Sequence, residues 1–120
     1  MNTIVFCEDL PAIRKLISIA MRGAPHRVLF ADNGRSGLEM IRAERPQLVV
    51  TDLAMPDLDG TQLFDRLQED PDLARIPVVF LSASSQRNLL EAARNRPARA
   101  FLSKPFSPSA LRGLVDELLD

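Results

Sequence analysis

The sequence predicts an α/β fold: a doubly wound, five-stranded parallel sheet in the order 2-1-3-4-5, flanked by five helices and spanning residues 1–120 as one domain. Three observations lead there. Short apolar runs and helical patterns alternate five times along the 120 residues. Two of the runs, Leu48–Val50 and Pro77–Leu81, are apolar without alternation, as strands covered on both faces are. No internal repeat, low-complexity segment or linker interrupts the series.

Ile4-Val5-Phe6-Cys7 reads as the first strand and stops at Glu8-Asp9. Pro11 suits a first helical turn, and Leu10, Ile13, Leu16, Ile17, Ala20 and Met21 recur at helical spacing as one apolar face. Gly23 to Pro25 end that helix. His26 to Ala31 reads as the second strand, with His26 expected at the surface; Asn33-Gly34 reads as a turn. Leu38, Met40 and Ile41 anchor a helix that ends near Pro46. The central strand from Leu48 ends abruptly at Asp52, and Pro56 and Gly60 then force a loop.

The stretch 60–68 carries Leu63, Phe64 and Leu67 at helical spacing, and Glu69 to Asp72 reads as a solvated connection. The strand from Pro77 ends at Ser82-Ala83-Ser84-Ser85. A helix over about 85–95 follows, with Leu89, Leu90 and Ala93 inward and Arg87 and Arg94 outward. Arg96 and Arg99 extend that basic face into the next turn, which reads as solvated. Ala100-Phe101-Leu102 is a last short strand before Ser103-Lys104-Pro105. Ser107 is a natural N-cap and Pro108 a first helical residue; Leu111, Leu114, Val115 and Leu118 then mark the final helix.

Composition narrows the function classes. The chain is 46% hydrophobic and 26% charged, which is ordinary for a globular domain. A formal net charge of −1 leaves no electrostatic footprint for nucleic acid or an anionic membrane. One cysteine, Cys7, cannot form an intrachain disulfide and reads as a core residue. With no signal-peptide or transmembrane run in the sequence, a cytoplasmic protein is expected.

In such a sheet the carboxyl ends of the strands converge on one edge. Four of the five ends carry a polar group: Glu8-Asp9, Asp52, Ser82 and Lys104. Singly, each has an ordinary explanation: a helix N-terminus for the acids, turn chemistry for Ser82, solvent for Lys104. Together they make a reactive set. Crowded carboxylates need protons or a hard cation such as Mg²⁺ (or Mn²⁺), with Asp9 and Asp52 as direct ligands and Glu8 acting through water. An oxygen of Asp52 could then attack a phosphoryl group, with Lys104 and Ser82 as donors to its oxygens.

The acidic pair Glu8-Asp9, the block Thr51-Asp52-Leu53-Ala54-Met55-Pro56-Asp57-Leu58-Asp59-Gly60, Ser82-Ala83, and Phe101-Leu102-Ser103-Lys104-Pro105 resemble the receiver domain of two-component response regulators. The resemblance covers essentially the whole chain and implies the flavodoxin-like receiver fold. It implies that Asp52 is the phospho-acceptor, that Asp9, Asp52 and the backbone carbonyl of Ala54 bind the metal, and that Ser82 and Lys104 bind the phosphoryl group. The Lys104-Pro105 peptide would be cis. It further implies a switch in which Ser82 is drawn inward and Phe101 turns into the vacated space, changing the surface of the fourth helix, fifth strand and fifth helix.

The implied partners are a sensor histidine kinase or histidine phosphotransfer protein and a downstream protein target, with no nucleic acid and no membrane. The protein would catalyse only its own phosphorylation and dephosphorylation. Because Asp120 follows the last helix closely, a stand-alone receiver is expected; a phosphorelay shuttle, or a receiver cut from a larger response regulator or hybrid kinase, is the alternative.

Departures from the family pattern are few. Phe101 stands where many members have tyrosine, Ala54 and Ser84 are small where the family tunes phosphoryl lifetime, and 95–99 lacks a glycine. Other classes fit less well. A haloacid-dehalogenase-like phosphatase needs an acid at the position of Ala54, a flavin phosphate would be repelled by Glu8-Asp9, and a non-phosphorylated scaffold would lack some of the acid, serine and lysine set.

Overall fold

The computed structural model describes residues 1–83 and 85–119; Ser84 and Asp120, both named above, lie outside the described residues. The elements alternate strictly: β1 Asn2–Cys7, α1 Pro11–Ala20, β2 His26–Ala31, α2 Gly34–Glu44, β3 Leu48–Asp52, α3 Gly60–Gln68, β4 Val78–Ser82, α4 Arg87–Arg94, β5 Ala100–Ser103 and α5 Pro108–Leu119. The strands form one sheet in the order β2-β1-β3-β4-β5, every pair parallel. This is the expected order.

Strand periodicity divides the core in two. Side chains alternate across a sheet, so Ile4, Phe6, Leu48 and Val50 face one layer with Ile17, Leu111 and Val115. Val5, Cys7, Val49 and Phe80 face the other with Leu38, Ile41, Leu63 and Leu67. Every residue of β3 and β4 is buried, which explains the apolar runs Leu48–Val50 and Val78–Leu81 that precede their polar ends.

Four local expectations change. Leu10 is not part of the apolar face of α1; it takes the extended N-cap position and is 51% exposed, because the helix begins only at Pro11. Asn33-Gly34 does not make a separate turn: the Asn33 side chain accepts from the Ser36 N–H at 2.8 Å and caps α2, whose first residue is Gly34. Glycine is required there, since a Cβ would lie 1.9 Å from the backbone oxygen of Leu58. α4 starts at Arg87, after a turn closed by the Gln86 N–H on the Ala83 carbonyl. His26 is half-buried at the start of edge strand β2, and its Nδ1 has no hydrogen-bond partner among the described residues.

The remaining caps follow the local sequence. Asp59 and Gln62 form a reciprocal capping box at α3. The Ala110 N–H donates to the Ser107 Oγ at 3.1 Å at the start of α5. Among the described residues, no helix is long and apolar enough to cross a membrane.

Candidate functional site

The parallel sheet brings the carboxyl ends of β1, β3, β4 and β5 to one edge. β1 and β3 are neighbours in register, with Cys7 opposite Thr51, so Glu8 and Asp9 leave the sheet beside Asp52. Oxygen atoms of Glu8, Asp9 and Asp52 lie within 4.8 Å of one another. Glu8 and Asp52 are buried and Asp9 is half-buried.

Lys104 supplies the counter-charge. It follows β5, and its N–H donates to the Ser82 carbonyl at 2.7 Å, which carries the pairing of β4 and β5 one residue further. The peptide bond from Lys104 to Pro105 is cis. The ammonium Nζ lies 2.8 Å from Glu8 Oε1 and 3.0 Å from Asp52 Oδ2. Burial alone would pull the Lys104 ammonium down, but hydrogen bonds to Glu8 and Asp52 outweigh it and hold its pKa above the ordinary value. Burial pushes the Glu8 carboxyl up, against the opposing pull of its bond to Lys104. One ammonium thus contacts two of the three clustered carboxylates, and Asp9 has no ion-pair partner among the described residues.

Main-chain donors complete the set. The Leu53 N–H donates to Asp52 Oδ1 at 2.8 Å, and the Leu10 N–H to Glu8 Oε2 at 3.2 Å. Neither contact has a side-chain signal, so the sequence does not disclose them. Gly60 acts similarly. Its N–H donates to the Leu53 carbonyl at 2.7 Å, and a Cβ there would lie 2.5 Å from the backbone oxygen of Asp52. Only glycine lets α3 start so close to the acid; the sequence marks Gly60 as a loop residue but not this approach.

Ser82 ends β4, buried, in register with Ser103. Ala54 lies half-buried in the loop after β3. Phe101 is 39% exposed, its ring 5.5 Å from that of Phe80 and tilted by 44°. All the expected site residues except Phe101 therefore belong to the loops and strand ends of one sheet edge; Phe101 lies on edge strand β5, open to solvent.

The family model for the response regulator receiver domain matches residues 4–116. The chain belongs to that family. Among curated relatives, it is 29% identical over 119 residues to PilH of Pseudomonas aeruginosa, covering 99% of this chain and 98% of that protein. It is 30% identical to the two-component response regulator ORR3 of Oryza sativa over 93% of this chain and 86% of that one. Longer relatives are matched only in part: the chain spans 51% of response regulator Rre1 of Synechocystis. Among solved structures, the signal receiver domain of a histidine kinase from Syntrophus aciditrophicus superposes with a TM-score of 0.89 at 28% identity, over 99% of this chain and 90% of that one. The receiver domain of a Pseudomonas aeruginosa sensor histidine kinase, which holds magnesium in its active-site cleft, shares the fold at a TM-score of 0.88 and 21% identity, over 98% of this chain and 96% of that one. Receiver domains act in two-component signalling, so the acidic edge of this receiver is its candidate reaction site.

Proposed function

We propose that this receiver accepts a phosphoryl group on Asp52 in a Mg²⁺- or Mn²⁺-dependent reaction. The donor would be a histidine kinase, a histidine phosphotransfer protein or a small phosphodonor. The observation that carries this reading is the placement of Asp52: buried at the end of the central strand, within reach of two further carboxylates, and paired with Lys104 at 3.0 Å.

The donor set fits a hard divalent cation. Three carboxylates converge against a single ammonium, and oxygen ligands of this kind suit Mg²⁺. Asp9, Asp52 and the Ala54 carbonyl would hold the ion, with Glu8 reaching it through water. Bound there, Mg²⁺ supplies charge neutralisation for the carboxylates and the incoming phosphoryl oxygens.

An Asp52 oxygen attacks phosphorus, and the bond from phosphorus to the donor's nitrogen or oxygen breaks with its electron pair leaving on the donor. The product is an acyl phosphate. Lys104, already in contact with Asp52, donates to a phosphoryl oxygen, and the Ser82 hydroxyl donates to another. Drawing Ser82 inward would vacate space for Phe101, which is now exposed, and so alter the α4-β5-α5 face presented to a protein target. Phe101 has no hydroxyl to fix one rotamer, so packing alone selects its position. The protein catalyses no reaction beyond gaining and losing this group, contacts neither nucleic acid nor membrane, and works in the cytoplasm.

Intact mass after incubation with acetyl phosphate tests the reading. One added phosphoryl group that requires both a divalent cation and Asp52, and is absent in Asp52→Asn, is the expected result. A short-lived adduct would escape this measurement, so beryllofluoride is titrated in parallel and followed by NMR. No adduct together with no change around Asp52 would sink the proposal.

A further inference from the structure

A second concave site lies at the other end of the sheet. Between the last turns of α3, the connection into β4 and the turn before β5 there is a cleft of about 150 Å³. Phe64 and Gln68 line it from α3, Arg75 and Pro77 from the connection, and Pro97 and Arg99 from the turn. Among the described residues, no carboxylate lines it. Among the described residues, the nearby ion pairs join Arg45 to Asp72, Arg66 to Glu69 and Arg96 to Asp65, and neither Arg75 nor Arg99 takes part in one.

Two exposed guanidinium groups thus border one concavity, neither of them engaged in an ion pair among the described residues, and an oxyanion seated there would draw on both. Guanidinium forks match carboxylate and phosphate oxygens in pairs. The frame that carries them is fixed by the main chain. The Arg99 N–H donates to the Val78 carbonyl at 2.8 Å, and the Ile76 N–H to the Leu73 carbonyl at 3.1 Å. Pro77 and Pro97 restrict the backbone on the two sides and offer flat apolar walls. Phe64, held against Phe80 with ring centroids 5.9 Å apart, gives a third. Pockets for drug-sized ligands begin at about 300 Å³, so this one suits a small molecule rather than a nucleotide.

We propose that this cleft binds a small organic oxyanion, a phosphomonoester or a carboxylate, through Arg75 and Arg99, with the Gln68 amide as a neutral donor. The site is independent of phosphorylation at Asp52. The test therefore uses the full chain carrying Asp52→Asn, without divalent cation, titrated with phenyl phosphate, with benzoate and with neutral benzyl alcohol, and followed by amide NMR. Saturable shifts at Gln68, Ala74, Ile76 and Arg99 are expected with at least one anion and not with benzyl alcohol; which anion saturates separates phosphate from carboxylate. Arg75→Gln and Arg99→Gln should each weaken that binding about tenfold or more, as loss of a charged hydrogen bond does. Unsaturable shifts spread over all exposed arginines, shifts confined to Glu8, Asp9 and Lys104, or affinities unchanged in both variants would overturn the proposal.

Discussion

Cys7 and Gly37 show how little spare volume separates β1 from α2. A Cβ on Gly37 would lie 2.5 Å from the Cys7 Sγ, so Gly37→Ala must push the helix off the strand. Overpacking of that kind costs about 1–3 kcal/mol, which exceeds the roughly 1 kcal/mol that alanine gains over glycine inside a helix. Denaturant titration should therefore show Gly37→Ala to be destabilising. In a Cys7→Ala background the sulfur is gone and the same change should turn neutral or stabilising, a sign reversal that a double-mutant cycle would read directly. Cys7 itself is fully buried and its thiol is pushed up to about 12, chiefly by desolvation. It should stay unmodified by a thiol reagent at neutral pH and react only when the protein is unfolded. Gly60 is the more consequential glycine: Gly60→Ala sets a methyl against the backbone of Asp52 and should lower stability and, on the proposed function, slow phosphorylation by acetyl phosphate.

The elements differ in how firmly they are specified. The α3 capping box closes two free donors at once, so Asp59→Ala should cost about 1 kcal/mol in denaturant midpoint analysis. The two hydrogen bonds between Arg96 and Asp65, which join the turn after α4 to α3, lie at a partly exposed surface and should couple by less than about 1 kcal/mol in a double-mutant cycle. The strand and helix series was readable from the sequence because β3 and β4 are buried on both faces and α5 carries a full apolar stripe after a serine cap. Its edges were less so. Apolar spacing cannot say whether Leu10 belongs to a helix face or to the solvated N-cap before Pro11, and Asn-Gly has the same letters in a hairpin turn and in a helix cap. The convergence of Glu8, Asp9, Asp52, Ser82 and Lys104 on one edge was legible because parallel strands deliver their ends together. The contacts of Leu10, Leu53 and Gly60 were not, since they are made by the main chain and by the absence of a side chain.

At the scale of the molecule, the centre is buried and the rim is open. Leu81 is fully buried in β4, and Leu81→Ala should cost about 2–5 kcal/mol. Phe101, only two strands from the centre, is 39% exposed; Phe101→Ala should cost far less in thermal unfolding, while on the proposed function it changes the affinity of a target for the α4-β5-α5 face. The sheet therefore separates what holds the fold from what a partner would touch. The contact between Lys104 and Glu8 crosses 96 positions of the chain. During synthesis, then, Asp52 leaves the ribosome long before the ammonium that faces it, and no shorter nascent segment contains the whole candidate site. On the proposed function, a half-made or truncated copy is deaf to its kinase, and competence to receive a signal doubles as proof that the chain has been translated at least to Lys104 and folded.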